Sequence, residues 1–308
     1  MQSYVKTLGI IAVMIIHVMT MVFCDHSIFD IYKAAEVAFR AFVPTFFFLA
    51  GYNYARTSLP SWQRQKRYAL YLLANLISWS IVYLIFGVAV GKTAFSLNAL
   101  LMAFNGYAFP GQYFLVALGL LAVTATRMEC TVAGVIRRFA TLVLLWLVLD
   151  VTPTPGNFSS LEMRFPFIWS FDFFLGAAMG LSGRRFQVWL SLFLILCLPV
   201  SFLFAGNLEQ YVSPNVHILG TLFGFGVVLN PSLQAHPTIE FLGRNTLPLY
   251  LAHPLAILAI FHFQPSISAK PLSFLIQFLI VTGTIAFMWH GKRKTSIEAM
   301  IQRLTKVT

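Results

Sequence analysis

From Lys6 to Phe23 the chain reads KTLGIIAVMIIHVMTMVF, and beyond the lysine its only ionisable side chain is His17. An apolar run of about 18 residues is long enough to cross a bilayer as a helix. At roughly 1.5 Å of rise per residue, the steps from Lys6 to His17 carry the imidazole about 16 Å along that helix. That is near the middle of a hydrocarbon core about 30 Å thick. An ionisable group at such a depth faces a bundle interior or a watery cavity, because lipid does not solvate it. One reading is a neutral histidine bonded to a neighbouring helix. The other, which we favour, is a proton acceptor, since imidazole takes a proton near neutral pH.

The rest of the chain calls for the same solvent. Hydrophobic residues make up 58% of the 308 and charged residues 10%, whereas soluble domains carry about 25% charge. No single soluble core buries that much apolar surface, so an all-α, polytopic membrane protein is expected. The net charge of +11 does not point to nucleic acid, because the basic residues fall at helix ends, as cytoplasmic loops require. Cys24, Cys130 and Cys197 are widely spaced and form neither a metal-ligand pattern nor a disulfide framework, so no metal site is expected. The first helix lacks a following cleavage-like site and reads as a retained span, not a secretory signal.

Hydropathy divides the chain into about ten spans. The first is Lys6–Phe23, then a polar link from Cys24 to Lys33. The second is near Val37–Ala55 and is bent by Pro44, with Arg40 in it. The third is Tyr68–Val90, the fourth ends near Thr126, and the fifth ends near Leu149. A Pro-, Gly- and Ser-rich loop, Asp150–Phe165, leads to a sixth span at Pro166–Leu181. The seventh is Phe186–Phe204, the eighth a short glycine-rich Val216–Leu229, the ninth Leu242–Phe261 and the tenth Leu272–Trp289. A basic tail, about 291–308, ends the chain as a surface helix or a solvated segment. With the N-terminus cytoplasmic, only Lys33, Arg40, Lys92, Arg164 and Lys270 of the 21 basic residues fall on or toward the other side. Both termini are therefore expected inside. No repeat or low-complexity tract divides the chain, and residues 1–308 read as one membrane domain.

Six local patterns in this order resemble the acyltransferase 3 family of integral membrane acyltransferases. Lys6 and His17 match its first-helix pattern of a basic residue, usually Arg, ten residues and a histidine, with Lys in place of Arg. PTFFFLAGY, Pro44–Tyr52, is similar to its second helix, and the basic-to-aromatic segment Arg64–Trp79 to its third. GQYFL, Gly111–Leu115, resembles the start of its fourth, with Tyr113 where Trp is usual. FDFFLGAAMG, Phe171–Gly180, and LGRNTLPLYLAHP, Leu242–Pro254, resemble two later spans.

The resemblance implies transfer of an acetyl or other acyl group from cytoplasmic acyl-CoA to a sugar hydroxyl outside the cell or on its way out. No tightly bound cofactor is implied. The bacterial inner membrane is the expected location. His17 serves as general base or as acyl-carrying nucleophile. Lys6 pairs with a CoA phosphate or anchors the helix at the interface. Arg64, Lys66 and Arg67 bind the CoA phosphates or only fix topology. Tyr113, Arg244, Asn245, Tyr250 and His253 are candidates to line the substrate site, Tyr250 and His253 sharing one helix face. Asp172 either orients a histidine or a sugar hydroxyl, or lies at the outer interface; the interface is the expected place. A permease for a small polar or anionic solute would also use His17, the bent second span and the glycine-rich eighth. A pilin-acetylating enzyme would keep the chemistry and change the acceptor.

Overall fold

The computed structural model describes residues 2–23, 28–56, 61–102, 113–124, 166–204, 214–230 and 236–306. Among these there is no strand. The helices are α1 (Gln2–Met21), α2 (Ile28–Arg40), α3 (Phe42–Arg56), α4 (Ser61–Ala89), α5 (Leu97–Met102), α6 (Tyr113–Thr124), α7 (Pro166–Leu181) and α8 (Arg184–Phe204). They continue with α9 (Pro214–Leu229), α10 (Pro237–Arg244), α11 (Thr246–Phe263), a 3-10 turn at Pro265–Ala269 and α12 (Pro271–Lys306). Five described segments are long and apolar enough to cross a membrane: Gln2–Met21, Lys66–Ala89, Arg184–Ser201, Thr246–Phe263 and Pro271–Met288. They coincide with the first, third, seventh, ninth and tenth spans read from hydropathy. Asn215–Leu229 is a shorter apolar helix at the eighth. The end of the fourth span, the fifth span with Arg137 and Arg138, the loop 150–165, and the residues Cys24, Asp25, His26 and Cys130 lie outside the described residues.

Four boundaries differ from the hydropathy reading. The expected polar link before the second span is helical from Ile28. Glu36 and Arg40, one turn apart, form a buried ion pair along it, with Arg40 Nε 2.8 Å from Glu36 Oε1. The second span is divided at Ala41 into α2 and α3. The ninth is divided at Asn245, which ends α10 through its N–H to the Phe241 and Leu242 carbonyls. Finally, the basic tail continues α12 without a break to Lys306.

Contacts group the chain into two units, residues 1–56 with 172–287, and residues 57–171 with 288–308. In the second unit α4 packs along α6 and α5. In the first, α1 lies against α2, α3, α9, α10 and α11. Burial separates interior from lipid-facing helices: 56% of the α11 segment is buried, against 22% for those of α8 and α12. Exposed Trp189, Phe193 and Leu196 on α8, and Leu272, Ile276 and Ile280 on α12, suit hydrocarbon solvent.

Glycines bring α3 against both its parallel neighbours. A β-carbon at Gly51 would meet the Phe173 carbonyl of α7, and one at Gly176 the Phe48 carbonyl of α3. On α9, Gly220 faces the Ala41 carbonyl and Pro44, and Gly224 faces the Phe48 ring. Thr45 Oγ1 adds a bond to the Gly220 carbonyl, 2.8 Å. Helices in lipid associate by such close packing because there is no hydrophobic drive between them.

Candidate active site

The α1–α11 pair is held in register at one end. Thr7 Oγ1 donates to the Ile239 carbonyl of α10, 3.1 Å. A β-carbon at Gly243 would lie 2.8 Å from Ser3 Cα, so α10 sits directly on the start of α1. At the far end Val18 of α1 and Val22 just beyond it join Ala256, Ile257 and Ile260 of α11 around Phe274 and Phe278. Between these contacts the two helices run parallel, and their polar residues face one another.

There His17 Nδ1 lies 2.8 Å from His253 Nε2, with ring centroids 4.8 Å apart. His253 is fully buried, while His17 is partly exposed. Pro254 lacks the N–H that would bond the Tyr250 carbonyl, which loosens α11 beside His253. The other ring nitrogen, His253 Nδ1, is 3.3 Å from the Leu249 carbonyl. A carbonyl only accepts, so Nδ1 of His253 carries its proton and, in the neutral ring, Nε2 is the acceptor. His17 Nδ1 must then donate to it. That leaves the lone pair of a neutral His17 on Nε2, the nitrogen able to take a proton or attack a carbonyl carbon.

Tyr250 is buried and presents its ring edge-on to His253 at 5.7 Å. Asn245 is also buried; its Nδ2 donates to the Phe241 carbonyl at 2.8 Å, and its Oδ1 makes no protein hydrogen bond. Arg244 lies apart from these, 75% exposed and paired with Glu240. Lys6 is half-buried on α1. Arg64, Lys66, Arg67 and Tyr113 belong to the other unit. Of them Arg67 is exposed and Lys66 half-buried.

Asp172, expected at the outer interface, is fully buried within the protein. Its Oδ2 is 2.7 Å from His217 Nδ1 of α9, and Thr221 Oγ1 donates to Oδ1 at 3.3 Å. Burial of a carboxyl group in this setting requires such partners. Sequence reading did not single out His217. The available signal was His217 and Thr221 one turn apart in an apolar helix, with an aspartate six residues into another span. A further buried polar pair, Glu36 and Arg40, stands on α2, which packs against α1 and α9.

No curated protein and no solved structure matches the chain. A family model described as an acyltransferase domain matches residues 3–290. The match spans His17, His253, Asp172 and His217 together. By that match and its apolar helices, the chain belongs to the acyltransferase 3 family and is a membrane acyltransferase.

Proposed function

We propose that the protein is an O-acyltransferase, with acetyl the acyl group. The donor is cytoplasmic acyl-CoA, and the acceptor is a hydroxyl of an exported or cell-surface carbohydrate. The reading is supported above all by one observation in a member of an acyltransferase family: the buried His253 holds His17 in the tautomer whose reactive nitrogen is Nε2. An imidazole so held is suited to hydroxyl activation or to acyl capture.

In this proposal the protein sits in a bacterial inner membrane with both termini cytoplasmic. Lys6, Arg64, Lys66 and Arg67 attract the CoA phosphates. Asn245, Tyr250 and His253 line the donor path to His17, Asp172 serves the acceptor side, and Tyr113 is a further substrate-site candidate. Arg244, exposed beside Glu240, acts at the mouth of that path, where a charged donor arrives.

The test is acyl transfer in membranes of expressing cells, with radiolabelled acetyl-CoA given from the cytoplasmic face. Label is expected in a glycan with the wild type and not with His17→Ala at matched expression. Label unaffected by His17→Ala would remove this residue from the chemistry. No label with the wild type, alongside uptake of a small anion, would favour a permease.

A further inference from the structure

Asp172, His217 and Thr221 form a second built cluster on α7 and α9, apart from the His17–His253 pair. Its connectivity is that of a base with its orienting carboxylate. Asp172 Oδ2 accepts from His217 Nδ1 at 2.7 Å, and Asp172 Oδ1 accepts from Thr221 at 3.3 Å. The carboxylate therefore fixes Nε2 as the nitrogen of His217 that exchanges protons, and it stabilises the imidazolium.

Helix register brings both imidazoles to similar depth. α1 runs antiparallel to α3: Val5 packs with Leu49 and Tyr52, and a β-carbon at Gly9 would touch the Phe46 and Phe42 rings. His17 is eight residues, about 12 Å, beyond Gly9 toward the start of α3. On α9, Gly220 lies beside Ala41 and Pro44, and His217 is three residues, about 4.5 Å, beyond it in the same direction. The two rings thus differ by less than about 10 Å in depth, on adjacent helices, since α1 packs against α9. Both lie toward the end of the bundle away from Arg184 and Arg185, the end that the proposed topology makes the outer one.

We propose that the two clusters divide the reaction: His17 takes the acyl group from acyl-CoA, and His217, oriented by Asp172, takes the proton from the acceptor hydroxyl. This rests on the acyltransferase reading above. In the first half, His17 Nε2 attacks the thioester carbonyl carbon. The C–N bond forms, the C–S bond breaks, and the CoA thiolate leaves with its electron pair and is protonated by cytoplasmic water. The acyl-imidazolium keeps its Nδ1 proton on the hydrogen bond to His253. In the second half, the sugar hydroxyl oxygen attacks the acyl carbon as its proton passes to His217 Nε2. The C–O bond forms and the C–N pair returns to His17. His217 then gives its proton to water on the outer side. Similar depth on adjacent helices is the arrangement in which one acyl carbon can be served by both imidazoles.

The two halves separate experimentally. Membranes are assayed for exchange of labelled CoA into acetyl-CoA, which needs only the first half, and for transfer to envelope glycan, which needs both. For His217→Gln and Asp172→Asn, transfer falls about 100-fold or more, as loss of a base predicts, while exchange stays within about threefold of wild type. Thr221→Val gives the same split with a smaller loss of transfer. His17→Ala loses both activities. Thermal midpoints in detergent within a few degrees of wild type exclude unfolding. If the His217 variant is folded and exchange falls with transfer, or transfer is untouched, the division is wrong. Wild-type transfer without exchange also overturns it, because no acyl-enzyme then forms. A wild type with neither activity refutes the acyltransferase reading itself.

Discussion

Gly51 of α3 lies directly on the backbone carbonyl of Phe173 of α7, with no room for a β-carbon between them. Phe173 is the residue after Asp172, so this contact sets where the buried carboxyl stands relative to α9. Gly51→Val must push two backbones apart, at a cost of about 1–3 kcal/mol or more. A lower thermal midpoint in detergent and a loss of acyl transfer are expected together. Gly283→Ala is the control: nothing lies within 4 Å of its β-carbon position. It is expected to leave the midpoint unchanged or raise it, since alanine is the better helix former.

The His17–His253 hydrogen bond predicts a kinetic split. His253→Leu removes the acceptor that holds His17 Nδ1–H, so the reactive nitrogen is no longer defined. By comparison with loss of other imidazole-orienting groups, kcat is expected to fall about 10²–10⁴-fold. KM for acetyl-CoA is expected to change less than about threefold, because His253 orients a reacting group and does not itself hold the donor. Initial-rate measurements in membranes decide this. A rise in KM at constant kcat would make His253 a donor-binding residue instead.

The buried Glu36–Arg40 pair predicts an asymmetry. Arg40→Met leaves Glu36 buried without its close partner, at a cost of about 3–5 kcal/mol. Arg40→Met combined with Glu36→Gln removes both charges and should recover much of that loss. Thermal midpoints of wild type, single and double variants test it. Equal loss in the single and double variants would show that the pair adds little beyond packing.

Topology is open to cysteine labelling. With Cys24, Cys130 and Cys197 replaced by Ser, a single cysteine at Lys294 is expected to react only after the membrane is permeabilised. One at Lys270 is expected to react from outside intact cells. The opposite pattern would invert the bundle and place the acceptor side of His17 in the cytoplasm.

Several features of this site were legible residue by residue. His17 stood out because a lone imidazole amid apolar side chains is costly in lipid unless it is used or bonded. Tyr250 and His253 fell on one face by helical spacing alone. His217 was passed over because its meaning depends on Asp172, 45 positions away, and no local pattern encodes a pairing at that separation. Asp172 was expected near an interface for the same reason: six residues into a span is shallow, and its burial comes from α9 covering it. The break at Asn245 was missed because the short helix before it, Pro237–Arg244, carries polar residues that read as the end of the ninth span.

By itself the sequence determined the membrane class, the helical class, the approximate place of the five described segments long enough to cross a membrane, and the family. Those follow from composition and from patterns within some twenty residues, where chain connectivity already brings the groups together. Only tertiary structure decided which polar residues meet. His17 reaches His253 across 236 positions through the packing of α1 on α11, and Asp172 reaches His217 where glycines at 51, 176, 220 and 224 let α7 and α9 close on α3. In a membrane a buried polar group must find its partner on another helix. The identity of that partner depends on helix register and close approach, which a linear pattern does not carry.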